Sequence, residues 1–254
     1  MIYNPFSLEG KTILVTGASS GIGQATAIEC AKLGAHVVIT GRNAERLQDT
    51  FDQLEGDGHQ QIIADLTNPE SLEQLVNEMP QLDGLVNNAG MGYTKPIPFV
   101  KQADLDVMFG TNTFAPVLLT KLAMKKKKIN RGGSIVFTSS IAAMTEGLGN
   151  SVYGMTKAAI MSFAKYCALE FADKGIRVNS VHPGMVETKL IHDGAISEDD
   201  MQKDMQNYPL KRYGRPEEIA WAIIYLLSDA SVWVTGTQSV IDGGCHFQSA
   251  AWQH

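Results

Sequence analysis

The side chains in this sequence best suited to chemistry are Tyr153 and Lys157, within the run Tyr153-Gly154-Met155-Thr156-Lys157. Four residues apart on a helix, they lie on one face, a turn apart. A phenol is a poor acid at neutral pH, with a reference pKa of about 10. An ammonium held about 4 Å away, at an effective dielectric of about 20, is worth roughly 4 kcal/mol. That equals about three pKa units, enough to bring the phenol near neutrality. A phenol poised there can give a proton to, or take one from, a carbonyl or alcohol oxygen. The same spacing also occurs in plain helix-surface pairs, so the surroundings decide the reading. Ser140 stands thirteen residues before Tyr153, just past an apolar run at 133–139 that reads as a strand. Ligands in open α/β sheets bind outside the carboxyl ends of strands, so the Ser140 hydroxyl can converge on the same oxygen.

A second group of residues suits an anion. Residues 11–16 read as a buried strand and 24–33 as a helix, with Gly17, Ala18, Ser19, Ser20, Gly21, Ile22 and Gly23 between them. Glycines let a backbone approach a ligand closely, and a helix N-terminus presents free N–H groups and a positive dipole end to a pyrophosphate. The spacing is G-x-x-x-G-x-G, not the more familiar G-x-G-x-x-G. A bare strand–helix turn needs fewer glycines and hydroxyls than this. The second strand, 35–40, leads into Gly41 and Arg42, where dinucleotide folds place an acid for the ribose of NAD. A guanidinium suits a 2′-phosphate, so NADP(H) is favoured over NAD(H). A third strand, 60–64, ends at Asp65 and Leu66, placed to touch an adenine edge, although Asp65 also suits a helix cap. A fourth, 82–86, runs into Asn87-Asn88-Ala89-Gly90, which can tie neighbouring strands together and line the cofactor cleft or form a plain turn.

These residues need a frame. Helical patterns cover 43–54, a segment opened by Asn68-Pro69-Glu70, and 101–128. The last contains Asn112 and Pro116. A continuous helix leaves the Asn112 carbonyl without the N–H it would have from residue 116, free to hold a water. Residues 125–128 are four lysines, read as a solvated helix C-terminus. The helix at 151–173 is apolar around much of its circumference, which suggests a subunit contact as well as a core face. A sixth strand, 176–182, precedes Pro183, Gly184, Val186 and Thr188. Residues 189–213 are polar and acidic with little regular pattern and read as a lid. They carry Asp193, Glu198, Asp199, Asp200 and Asp204. A last helix runs from 215 to 227 and a last strand from 238 to 241. Strands and helices alternate throughout, which implies one α/β domain over 1–254 with a doubly wound parallel sheet of about seven strands and helices on both faces.

Bulk properties agree with one large globular domain: 254 residues, 44% hydrophobic and 19% charged. A net charge of −6 disfavours general nucleic-acid binding. Cys30, Cys167 and Cys245 are too dispersed for a metal cluster and read as reduced thiols of a cytoplasmic protein. His59, His182, His192 and His246 show no ligand spacing, so no metal site is expected. No apolar run approaches the length of a membrane span, and residues 1–10 lack signal-peptide character.

Taken together, Thr16 to Gly23, Asn87 to Gly90, Asn112, Ser140, Tyr153-x-x-x-Lys157, Pro183-Gly184 and Asp242-Gly-Gly244 resemble the short-chain dehydrogenase/reductase family over nearly the whole chain. The resemblance implies hydride transfer between a nicotinamide and a carbonyl or secondary alcohol. It implies that Tyr153 acts as general acid, that Ser140 orients the substrate oxygen, and that Lys157 lowers the tyrosine pKa and holds the nicotinamide ribose. It further implies a relay water on Asn112, a carboxamide contact at Thr188, and cofactor contacts along Gly17, Ser19 to Gly23, Asp65, Leu66, Asn88 to Gly90, Pro183, Gly184 and Val186. Dimers or tetramers built through two long helices are typical of the family. Within it, the chain is similar to reductases of 3-oxoacyl groups on acyl-carrier protein, which implies a small-molecule or carrier-linked carbonyl substrate. An alcohol, sugar or steroid dehydrogenase of the same fold, or a cofactor-sensing protein without turnover, are the alternatives. Substrate choice is expected around Met91, Gly92, Tyr93, Met144 and Met185.

Overall fold

The computed structural model describes residues 3–188 and 197–247. Seven strands form one sheet: β1 (Thr12–Thr16), β2 (His36–Gly41), β3 (Gln60–Ile63), β4 (Leu82–Asn87), β5 (Ile129–Thr138), β6 (Arg177–Pro183) and β7 (Gln238–Ile241). Their spatial order is β3-β2-β1-β4-β5-β6-β7 and every pairing is parallel. The order reverses between β1 and β4, and a crevice opens there at the carboxyl ends of the strands.

Strand side chains alternate between two cores, as a period of two requires. Ile13, Val15, Val37, Ile39, Val86 and Val136 pack under α1 (Gly21–Lys32), α2 (Ala44–Phe51) and the helix Pro216–Leu227. Leu14, Val38, Leu85, Ile135 and Phe137 pack under α3 (Pro69–Glu78), α5 (Ala115–Lys125) and α6 (Ser151–Glu170) on the other face. The doubly wound α/β fold read from the alternation of elements is therefore present.

Three expectations need correction. The helix expected at 101–128 is α4 (Gln102–Phe109), then a π-turn at Gly110–Phe114, then α5. The Ala115 N–H donates to the Gly110 carbonyl, five residues back. This wider turn precedes Pro116, whose ring would otherwise meet the carbonyl four residues before it. The segment at 189–213 is not wholly irregular: α7 (Glu198–Asn207) occupies its second half, with Ser197 accepting from the Asp200 N–H as its cap. Tyr208 and Tyr213 are buried behind α7, their rings edge to face at 5.4 Å, and the Tyr213 hydroxyl donates to Asp204 at 2.7 Å. The Gly214 N–H donates to the Met185 carbonyl and the Glu187 N–H to the Gly214 carbonyl, which joins this end of the segment to the turn after β6. Residues 189–196, including Asp193, lie outside the described residues. Finally, the lysine run is only half solvated. Lys126 donates to Glu73 at 2.8 Å and Asn77 at 2.6 Å, and Lys128 donates to the Met79 carbonyl at 2.5 Å, so both fasten α5 to the end of α3. The last helix, α8, spans Pro216–Leu227.

Candidate active site

The glycine turn does what its spacing demands. Gly17 has φ +65°, and a Cβ on it would stand 2.8 Å from the Ala89 Cα. A Cβ on Gly23 would stand 2.3 Å from the Gly17 carbonyl oxygen and 2.5 Å from the Asn88 amide nitrogen. Neither position has room for any side chain. The turn is tied to β4 through Thr16. Its buried hydroxyl donates to the Val86 carbonyl at 3.1 Å and accepts from the Asn88 and Ala89 N–H groups at 2.9 and 3.0 Å. The Asn88 amide donates back to the Thr16 carbonyl at 3.2 Å, so the expected tie between neighbouring strands is present.

Beside this turn lies a cavity of about 330 Å³ at the β1–β4 crevice. Gly17, Ser19, Ser20, Arg42, Asp65, Leu66, Asn88, Ala89 and Gly90 line it. Gly21, Ile22 and Gly23 instead form the first turn of α1, with Thr188 against Gly21. Pro183 closes β6 and Gly184 follows it, while the Val186 side chain packs in the core below. Asp65 caps no helix, since Asn68 accepts the Ser71 N–H at the start of α3. Its carboxylate accepts from the Thr67 hydroxyl at 2.7 Å and the Thr67 N–H at 2.9 Å, and these bonds, with a smaller contribution from Arg42, hold its pKa below the usual carboxylate value. One basic residue escaped the sequence reading. Arg46, in the first turn of α2, lines the same cavity as Arg42. The signal was their four-residue separation across the start of a helix capped by Asn43, whose side chain accepts from the Arg46 N–H at 2.8 Å.

At the other end of the crevice, Asn112, Ser140, Tyr153 and Lys157 come together. The π-turn buries Asn112, whose amide donates to the Met91 carbonyl and accepts from the Met91 N–H, both at 2.9 Å, and also donates to Thr156 at 3.2 Å. The loop after β4 therefore hangs from the π-turn. Lys157 is buried, and its ammonium donates to the Thr138 carbonyl at 3.0 Å, beside Gly90. The Ser139 hydroxyl donates to the Lys157 carbonyl at 2.9 Å and fixes the helix against the strand end.

Here the structure corrects the electrostatic expectation. The Lys157 nitrogen lies 5.7 Å from the centre of the Tyr153 ring and donates to a backbone carbonyl. Burial raises the Tyr153 pKa above 10, and the Ser140 hydroxyl is the group that pulls it down. Burial brings Lys157 down to about 8. With these neighbours the phenol keeps its proton at neutral pH and the lysine is the destabilised cation. Among the described residues no cluster of His, Cys, Asp or Glu could hold a metal ion, and no helix is long and apolar enough to cross a membrane.

Residues 17–246 match the profile of a family described as enoyl-(acyl carrier protein) reductase, a short-chain dehydrogenase/reductase group. The chain is a member of the short-chain dehydrogenase/reductase family. It is 36% identical over 237 residues to a 3-oxoacyl-[acyl-carrier-protein] reductase of Rickettsia felis, covering 93% of this chain and 97% of the relative. It is 33% identical to a 7alpha-hydroxysteroid dehydrogenase of Escherichia coli, covering 93% and 94%. A solved 7 alpha-hydroxysteroid dehydrogenase complexed with NADH and 7-oxo glycochenodeoxycholic acid superposes with a TM-score of 0.87 at 32% identity, over 96% of this chain and 98% of that one. The protein is thus an oxidoreductase acting between alcohol and carbonyl, and the solved hydroxysteroid relative holds NADH.

Proposed function

We propose that the chain is an NADP(H)-dependent reductase of 3-oxoacyl groups, on a carrier or a small thiol. The observation that carries the cofactor reading is the pair Arg42 and Arg46 facing one cavity with no acid at the end of β2. Two guanidiniums can hold a 2′-phosphate by charge-assisted bonds, where an NAD site would present a carboxylate to a hydroxyl. The acyl reading rests on the likeness to the 3-oxoacyl reductase relative.

The glycine turn and the start of α1 would hold the pyrophosphate, Asp65 and Leu66 the adenine edge, and Lys157 the nicotinamide ribose. Pro183, Gly184, Val186 and Thr188 would follow the nicotinamide end. When bound, the cofactor supplies the hydride. Tyr153 gives its proton to the carbonyl oxygen in reduction and takes it back in oxidation. The phenol, kept protonated at neutral pH, is in the form that reduction needs. Ser140 orients the same oxygen. Asn112, held on both sides of Met91, keeps the loop after β4 in place and would carry the water that returns a proton toward Lys157.

The exposed Phe114 on the π-turn and Met155, Tyr166 and Leu169 on α6 form an apolar face that suits a homo-oligomer. Free thiols at Cys30, Cys167 and Cys245 suit the cytoplasm. The second reading is a steroid or alcohol dehydrogenase, favoured by the likeness to the hydroxysteroid enzyme.

The test is a titration of NADPH against NADH on wild type and on Arg42→Ala and Arg46→Ala, followed by turnover of a 3-oxoacyl thioester. Each arginine bond to phosphate is worth about 1.5–3 kcal/mol, so each variant is expected to lose about tenfold or more in NADPH affinity with NADH unchanged. Equal binding of NADH by wild type overturns the cofactor reading and points to steroid or alcohol oxidation with NAD. Turnover that survives Tyr153→Phe overturns the role given to the phenol. A wild type that binds cofactor and turns over none of these substrates leaves a cofactor sensor.

A further inference from the structure

A buried titratable side chain lies directly behind Ser140. His182 is fully buried near the end of β6, with Ser180 two residues before it on the same strand face. Its Nε2 lies 2.8 Å from the Ser180 hydroxyl and its Nδ1 lies 3.2 Å from the Ser140 carbonyl oxygen. A carbonyl oxygen only accepts, so Nδ1 carries the proton. In the neutral ring Nε2 is then an acceptor, and the Ser180 hydroxyl donates to it at 2.8 Å in preference to the Thr237 carbonyl at 3.4 Å. Both ring nitrogens are satisfied in one tautomer, and the ring cannot turn without losing both bonds.

The Ser140 end is equally constrained. Its carbonyl also accepts from the Ala143 N–H at 3.1 Å, and its hydroxyl accepts from the Ala142 N–H at 3.2 Å. This short turn rests directly on the helix that carries Tyr153: a Cβ on Gly154 would stand 2.7 Å from the Ala142 carbonyl oxygen. Of the bonds on Ser140, the one from His182 comes from a different strand. It ties the serine to the sheet, not to its own turn.

We propose that His182 is a positioning residue: its Nδ1–H grips the Ser140 carbonyl and so fixes where the Ser140 hydroxyl points toward the substrate oxygen and Tyr153. Burial and the cations of Lys157 and Lys165 hold its pKa below the usual histidine value, which keeps the ring neutral and the tautomer single. The inference rests on the reading of Ser140 and Tyr153 as the reacting pair.

Two substitutions separate the two ring nitrogens. Asparagine places an amide nitrogen near the Nδ1 position and can still donate to Ser140. Glutamine reaches the Nε2 position and keeps Ser180 but not Ser140. With NADPH and an acetoacetyl thioester, His182→Gln is expected to lower kcat about tenfold, as a small misplacement of an orienting group does. KM and NADPH affinity should change little, and His182→Asn should recover most of the loss. In a Ser140→Ala background His182→Gln should cost nothing more. An equal loss in both backgrounds, or equal loss in Asn and Gln, overturns the proposal in favour of plain packing. Should His182→Gln not fold, Ser180→Ala frees the Nε2 side of the ring and enters the same cycle. A readout independent of turnover is the ¹⁵N histidine spectrum of the cofactor-free protein. One ring locked as the Nδ1–H form across pH 6–8 is expected, and an Nε2–H form or an ordinary titration refutes the assignment. If that form is seen but no carbonyl substrate turns over, the functional reading fails while the tautomer assignment stands.

Discussion

Lys157→Met is expected to stabilise the cofactor-free protein at neutral pH while abolishing turnover. Lys157 has a folded pKa of about 8 against a reference of 10.5, because burial strips water from its ammonium. The folded state therefore binds fewer protons than the unfolded state between these values, and wild-type stability rises as pH goes from 8 to 10.5. Below pH 8 the whole penalty is present. At about 1.4 kcal/mol per pKa unit it amounts to about 3 kcal/mol. Methionine removes that penalty but also the bond to the Thr138 carbonyl, which is worth about 1–2 kcal/mol when an acceptor is left buried. The net gain near pH 7 is about 1–2 kcal/mol. Urea unfolding at fixed protein concentration, followed by tryptophan fluorescence from pH 7 to 10.5, measures it. The variant's advantage should shrink by about 3 kcal/mol across pH 8–10.5 and reverse at the top. A difference between wild type and variant that does not move with pH means that Lys157 is not held against its charge, and the argument is wrong.

Other perturbations read other parts of the site. Gly23→Ala puts a methyl against the Gly17 carbonyl and the Asn88 amide, so cofactor affinity should fall at least a hundredfold by fluorescence titration with the thermal midpoint lowered. Thr16→Val leaves the Asn88 and Ala89 N–H groups without their acceptor and should cost about 3 kcal/mol in chemical unfolding. Tyr213→Phe removes the bond to Asp204 that holds α7 and should raise the substrate KM several-fold with NADPH affinity unchanged. If KM stays at the wild-type value, α7 does not cover the substrate.

The sheet was legible because parallel strands buried on both faces leave continuous apolar runs, and the crevice was legible because glycines and small hydroxyls have few other uses at a strand–helix junction. What escaped depends on geometry that spacing does not carry. A Tyr and a Lys at i and i+4 share a face, but side-chain rotamers decided that the ammonium bonds Thr138 and not the phenol. The π-turn left only Pro116 as a trace, since one extra residue per turn does not disturb composition. Helix α7 hid because its residues are polar and its apolar partners, Tyr208 and Tyr213, follow it in the chain. Arg46 and His182 are ordinary residues on an ordinary helix and strand until the fold sets one beside Arg42 and the other behind Ser140.

The reversal of strand order between β1 and β4 has an evolutionary consequence. Arg42, Arg46 and Asp65 come from the half of the sheet that β1, β2 and β3 build, whereas Asn112, Ser140, Tyr153 and Lys157 come from the half that follows β4. The parallel β1–β4 ladder and, at its carboxyl end, the bonds from Asn88 and Ala89 to Thr16 join the two halves where they meet. On the proposed reading of Arg42 and Arg46, descendants of such a protein can exchange NADP for NAD by mutating the end of β2 and the first turn of α2, and can change substrate by mutating beyond β4. Neither change forces revision of the other, so two selectable traits of one molecule can drift on separate stretches of its gene.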